Sequence, residues 1–139
     1  MKNSILFAFL VLFCSCGKHI TVNYSYDENN QASLRIQPSQ MIEICYMTIN
    51  GQMVVDGKNV TAITINRLPP GDNTYHITSN APFRKPMDVE KTVKLANGQQ
   101  KTEIVATPGY TGAYYAITYG SFAVSMATLI TSLIIIGTN

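Results

Sequence analysis

Turn chemistry cuts residues 18–108 into short pieces: Asp27-Glu-Asn-Asn30, Pro38-Ser39, Asn50-Gly51, Asp56-Gly57, Pro69-Pro-Gly-Asp-Asn73, the run from Pro82 to Pro86, and Asn97-Gly98. What lies between is rich in β-branched and aromatic residues, which suit a pleated, half-buried surface. Strands are therefore predicted over Ile20–Tyr24, Ser33–Gln37, Ile42–Asn50, Val60–Asn66, Thr74–Ser79, Val89–Leu95 and Thr102–Ala106. Asn-Gly and Asp-Gly permit positive φ and favour tight hairpins. Two strands have one readable face, Tyr75/Ile77 and Val89/Val93/Leu95, the latter interrupted by Lys91, whereas Ile42–Ile49 is apolar on both faces and reads as central. The expected fold is all-β, a small antiparallel sandwich, with residues for one domain rather than two.

Both ends are apolar. Lys2 precedes the uncharged run Ile5–Phe13, too short to cross a bilayer, which takes roughly 20 apolar residues, and laid out like a secretory signal. The sequence Phe13-Cys14-Ser15-Cys16 resembles a lipobox, in which a small residue precedes a cysteine that is acylated and becomes the new N-terminus. That resemblance implies a signal peptide over 1–15, lipidation with palmitate-like chains at Cys16, and a lipidated segment over 16–31 carrying the first strand. Phe13 stands where Leu or Val is usual, as in the looser lipoboxes of Bacteroidetes-like bacteria. Cys14 is the poorer acceptor because bulky Phe13 precedes it. Ordinary secretion, or a structural or redox role for Cys14 and Cys16, are the competing readings. Two acyl chains, at ~0.8 kcal/mol per buried CH₂, hold a protein stably on a membrane. Of three cysteines only Cys45 would then remain, which leaves no disulfide framework. Its apolar neighbourhood predicts a small buried hydrophobe.

The order Thr48-Ile-Asn-Gly-Gln52, Ile63-Thr-Ile-Asn-Arg-Leu-Pro-Pro-Gly71, Tyr75-His-Ile77, Thr92-Val-Lys-Leu-Ala-Asn-Gly98 and Thr102-Glu-Ile-Val105 resembles a PEGA domain. The resemblance covers about half the chain. It implies a PEGA-like, prealbumin- or Ig-like antiparallel sandwich over 32–108, in a bacterial envelope protein, with the Leu-Pro-Pro-Gly turn leading straight into a strand. Pro fixes φ and Gly71 supplies the permissive backbone such a turn needs. The eponymous Pro-Glu-Gly-Ala is absent near Gln40–Ile44, and no catalytic residue comes with the resemblance.

Catalytic and metal signatures are sparse. A formal charge of +2 with interleaved signs argues against nucleic-acid binding. His19 and His76 have no His, Cys or carboxylate at a ligand spacing, and Asp27–Asn30 lacks the alternation and glycine of a calcium loop. Neither a phosphate loop nor a nucleophile elbow occurs, and the carboxylates scatter into turns. The expectation is no enzyme, no catalytic residue, no metal and no cofactor. Ala81-Pro-Phe-Arg-Lys-Pro86 sets Phe83, Arg84 and Lys85 in a proline-bounded loop, either a contact for an anionic sugar or envelope protein or a solubilising loop tip.

From Ala113 to Ile136 there is no charge, and a helix of that length, at ~1.5 Å per residue, is long enough to span a membrane. A single C-terminal transmembrane helix over 113–136 is predicted, with Tyr110, Tyr114, Tyr115 and Tyr119 at the membrane–water interface. A hydrophobic helix packed within a protein complex is the alternative. On a helical wheel Tyr119, Phe122, Met126, Leu129 and Leu133 form one bulky stripe, while Ser121, Ser125 and Thr128 lie on a separate hydroxyl-bearing face. Small and hydroxyl residues allow close helix packing in lipid, which predicts a homo-oligomer packed through Ser121, Ser125 and Thr128; back-bonding of those hydroxyls to their own helix is the alternative.

Two function classes follow. In one, a non-enzymatic envelope lipoprotein, anchored at the outer membrane or the periplasmic face of the inner membrane, binds a glycan or protein partner. In the other, the chain is a structural subunit of an oligomeric secretion or transport assembly.

Overall fold

The computed structural model describes residues 17–25, 27, 29 and 31–137, the side chains of 129–137 excepted. The signal-like segment, Cys16, and the Glu28 and Asn30 positions of the first turn lie outside these residues. Seven strands come first: β1 (Lys18–Asn23), β2 (Ala32–Pro38), β3 (Ile42–Ile49), β4 (Gln52–Leu68), β5 (Gly71–Ser79), β6 (Met87–Leu95) and β7 (Gln100–Val105). One helix, α1 (Gly112–Gly137), follows. The chain forms two compact units, one holding the seven strands and the other made of residues 81–86 and 108–139.

In the strand unit the order is β6-β5-β3-β4-β2-β7, with β1 added on β4. β4 is the spine because its 17 residues serve two ladders. Gln52–Val60 pairs with β3, whereas Val60–Leu68 lies between β1 and β2. Asp56-Gly57, expected to end a strand, instead bends this one. Gly57 adopts φ +57°, and a Cβ there would sit 3.3 Å from the Tyr46 hydroxyl, so glycine lets the strand turn beneath a tyrosine without stopping. The expectation of an antiparallel sandwich needs correction, because the described strands form one seven-stranded sheet and two of its pairings are parallel. β1 runs parallel to β4 and β2 parallel to β7, because β1 and β7 attach beside strands distant in sequence and not beside their chain neighbours.

The hairpin chemistry behaves as its residue types require. Asn50 and Gly51 both take positive φ, 48° and 80°, as a two-residue type I′ turn demands, and Ile49 faces Gln52 across it. The Leu-Pro-Pro-Gly turn is tied to this hairpin by Asn73, which is 0 % exposed. Asn73 Nδ2 donates to the carbonyls of Pro69 at 2.9 Å and Gly71 at 3.3 Å, while its Oδ1 accepts from Asn50 Nδ2 at 2.9 Å. A buried amide whose groups are matched in this way costs little and fixes both turns.

Alternation along the strands builds the core. Leu34 and Ile36 of β2, Met47 and Ile49 of β3, Ile63 and Ile65 of β4, Tyr75 and Ile77 of β5 and Leu95 of β6 are all buried, each aliphatic side chain contributing about 1.5–3 kcal/mol by leaving water. Cys45 sits among them, 0 % exposed, and burial pushes its thiol up to about 12. One strained point interrupts β3. Ile44 has φ 48°, unusual for a β-branched residue, at a bulge between Ile42 and Cys45. Its N–H donates to Asn59 Oδ1 at 2.9 Å, so β4 supplies the acceptor that the bulge takes from the ladder.

Candidate functional site

The second unit brings together the residues that the sequence marked for contact. Arg84 and Tyr110 form an isolated antiparallel bridge, flanked by Thr111 N donating to the Phe83 carbonyl at 2.7 Å and Lys85 N donating to the Gly109 carbonyl at 3.2 Å. This miniature ladder anchors the root of α1. Phe83 adopts φ 66°, and its carbonyl takes a second donor, the Thr111 hydroxyl at 3.0 Å. Thr111 thus spends on Phe83 the hydroxyl that an N-terminal flanking residue usually turns onto the helix's own amides.

Arg84 is committed to this joint. Its guanidinium carbon lies 4.1 Å from the centre of the Tyr110 ring, Nη2 donates to the Tyr110 hydroxyl at 2.9 Å and Nη1 to the Pro108 carbonyl at 3.3 Å. Cation and ring attract through the ring quadrupole, and more so where water is partly displaced. Of the three loop residues expected to meet a partner, Phe83 is 48 % exposed and Lys85 is exposed, while Arg84 is half-buried and holds the scaffold beneath them.

Tyrosines continue from Tyr110 along the first turns of the helix. Tyr110 stacks on Tyr114 with centroids 4.0 Å apart, Tyr114 meets Tyr115 edge-on at 5.6 Å, and Tyr115 stacks on Tyr119 at 6.2 Å. Four rings therefore wrap one end of a helix. Among and beyond them Ile117, Phe122, Val124 and Met126 are 58, 66, 68 and 44 % exposed, and Thr118, Tyr119, Ser121, Phe122 and Ser125 line an open, mainly apolar trough.

On the face expected to pack against a second copy, the hydroxyls take the back-bonded alternative. Ser121 donates to the Thr118 carbonyl at 3.0 Å, Ser125 to Ser121 at 2.9 Å and Thr128 to Val124 at 2.9 Å, so each hydroxyl back-bonds to its own helix. A helix does occupy the tail, yet among the described residues no helix is long and apolar enough to cross a membrane. Tyrosines, glycine and these hydroxyl residues dilute its described turns. Leu129–Ile136, the most aliphatic part of the tail, has its side chains outside the description.

Elsewhere the titratable groups are dispersed. His76 Nε2 lies 2.7 Å from Asp88 Oδ1 on the outward face of β5 and β6, beside the Thr74–Thr92 hydroxyl pair at 2.8 Å. His19 Nε2 lies 2.8 Å from Thr64 Oγ1. Among the described residues no group of three or more His, Cys, Asp or Glu is arranged to hold a metal ion. The Arg84–Tyr110 joint is what the sequence reading missed, since partners separated by a strand pair and a turn leave no local signal. No protein-family model and no curated protein matches the chain.

Proposed function

We propose that the chain is a non-enzymatic lipoprotein of a bacterial cell envelope, a PEGA-like β-domain held at a membrane by an acylated Cys16 and by α1, presenting its strands to a glycan or envelope protein. The surface of α1 carries this reading. A charge-free helix of 26 residues that leaves Ile117, Phe122 and Val124 more than half exposed is poorly suited to water. In hydrocarbon it satisfies its own backbone. At ~1.5 Å per residue it reaches ~39 Å, against ~30 Å of hydrocarbon, and Leu129–Ile136 adds the aliphatic block. The tyrosine-wrapped root matches the interfacial preference of amphipathic rings, with Lys85 placed to meet headgroups.

The outward face of β3 and β5 offers the partner surface. Tyr46 is 39 % exposed and lies opposite Thr78, while Thr48 lies opposite His76, so a ring, hydroxyls and an imidazole share one face of the sheet. Hydroxyl-rich ligands use such groups, stacking on the ring and hydrogen-bonding around it.

Detergent phase separation tests the anchors. The full chain enters the detergent phase, Cys16→Ser and deletion of 109–139 each weaken that partition, and the two together release the strand unit into the aqueous phase. A full chain found in the aqueous phase would overturn the proposal, as would an unmodified Cys16 in the mass of the mature N-terminus.

A second reading, a structural subunit of an oligomeric envelope assembly, draws on the small side chains along α1 and not on hydrogen bonding between helices, since the hydroxyls bond within their own helix. With Ser121, Ser125 and Thr128 satisfied internally, their face is small and needs no polar partner, so a neighbouring helix can approach closely. Crosslinking in detergent then yields multimers that Ser125→Leu diminishes. Monomer alone, unchanged by Ser125→Leu, rules it out.

A further inference from the structure

Gly17, the first described residue, is pressed into the strand unit. A Cβ at this position would lie 2.6 Å from Met41 Sδ and 2.7 Å from Thr61 Cγ2, closer than any side chain tolerates. The main chain therefore runs against the surface at the residue directly after Cys16. Lys18 then opens β1 opposite Val60 of β4. Successive extended residues advance at most ~3.6 Å, so the Lys18 backbone stands within ~7 Å of that of Cys16.

Lys18 also lines a pocket of about 340 Å³ with Gly57, Lys58 and Asn59. Asn59 is oriented there by accepting the Ile44 N–H at 2.9 Å. Two cations share the rim, and among the described residues neither forms an ion pair. Asp56, exposed and next in sequence to Gly57, is not among the lining residues. Unbalanced like charges around a polar hollow favour an anion with several acceptor oxygens.

We infer that the Lys18–Lys58 pocket is a phosphate site, and that its occupant is the phosphate of an anionic lipid headgroup in the leaflet that holds Cys16. This rests on the acylated-anchor reading above. The lipid is what selects headgroup over dissolved phosphate, because an acyl chain one residue from Gly17 leaves no tether and holds Lys18 at headgroup depth. Lys58 reaches the same hollow from the neighbouring strand, so the two ammonium groups grip one phosphate from two sides.

The test uses the full mature chain purified from bacterial membranes and placed in nanodiscs of phosphatidylcholine alone or of phosphatidylcholine with phosphatidylglycerol, read by lysine reactivity toward an amine-acylating reagent. Lys18 and Lys58 are expected to react about fivefold more slowly in the anionic discs, the equivalent of the roughly 1 kcal/mol per basic residue at such a surface, while Lys94 on β6 changes no more than the reagent control. Lys58→Gln removes most of the protection at Lys18. Inorganic phosphate added to neutral discs gives no equal protection; if it does, the headgroup assignment is overturned in favour of a soluble phosphate ligand. Equal reactivity in both discs, from a chain whose N-terminal peptide carries the acyl mass, overturns the pocket and leaves the anchor standing. An N-terminal peptide without that mass overturns the anchor and this inference with it.

Discussion

The Lys91 ammonium lies 2.5 Å from the Glu103 carboxylate, joining β6 to β7, strands that follow one another in sequence yet occupy opposite ends of the ladder order. Lys101 adds a second contact to Glu103 at 3.3 Å. Glu103 is only 10 % exposed at its side chain, so its charge depends on these two partners, and the hydrogen bond from Lys91 holds its carboxyl below the usual carboxylate range. The same bond raises Lys91 above the ordinary lysine value.

The sign of the pH dependence follows from those directions. Glu103 binds protons more weakly in the folded chain than in the unfolded one, so its contribution is present above the ordinary carboxylate pKa and is lost as pH falls through the lowered folded value. Lys91 contributes below the ordinary lysine pKa and loses its contribution as pH rises through the raised value. Lys91→Met is expected to melt at a lower temperature than the parent at neutral pH, with the gap closing in acid. Calorimetry across pH checks this, and a gap that stays constant into acid would show that the pair does not couple the strands.

Asn73→Ala is expected to cost about 1–3 kcal/mol, the penalty for orphaning buried partners. Asn50 Nδ2 and the carbonyls of Pro69 and Gly71 are the groups that lose this partner. Urea unfolding measures the loss; Asn73→Asp, which keeps an acceptor for Asn50 but turns a buried carboxylate oxygen onto the carbonyls of Pro69 and Gly71, should lose at least as much as the alanine variant at neutral pH.

Gly57→Ala should destabilise by about 1–2 kcal/mol, since a Cβ is penalised by that amount in the left-handed region. Contact with the Tyr46 hydroxyl adds to the strain. Tyr46→Phe in the same background relieves only that contact, so a double-mutant cycle separates backbone cost from crowding.

Thiol counting reads two features together. Burial that raises Cys45 to about 12 keeps it protonated and shielded, hence inert to a disulfide reagent in the native state. With residues 1–15 removed and Cys16 acylated, the native chain shows no reactive thiol and the denatured chain shows one. A rapid native reaction would place a free thiol at Cys16 or Cys14.

Much of the sheet is legible in the sequence because its signals are local. Asn50-Gly51 names its own turn, Leu-Pro-Pro-Gly marks the entry to β5, and the alternation Tyr75/Ile77 identifies the buried face. Asp56-Gly57 misleads because the same dipeptide serves a hairpin or a bend, and the choice rests with Tyr46 packing over it. The parallel placement of β1 and β7 is invisible for a related reason. Strand periodicity tells which face is buried but carries no information about which neighbour a strand will choose. At the helix root, the tyrosines are conspicuous along the tail, whereas their partner Arg84 lies in a different loop and looks like an exposed cation.

The parallel ladder between β2 and β7, which sets Ser33 beside Gln100 and Pro38 beside Val105, has a consequence for biogenesis. No N-terminal fragment can complete the sheet, because β2 keeps an open edge until the last strand has been synthesised, and pairings this distant in sequence close slowly. The connectivity itself postpones closure until β7 is available, so the sheet cannot close strand by strand as the chain emerges and must form as a whole.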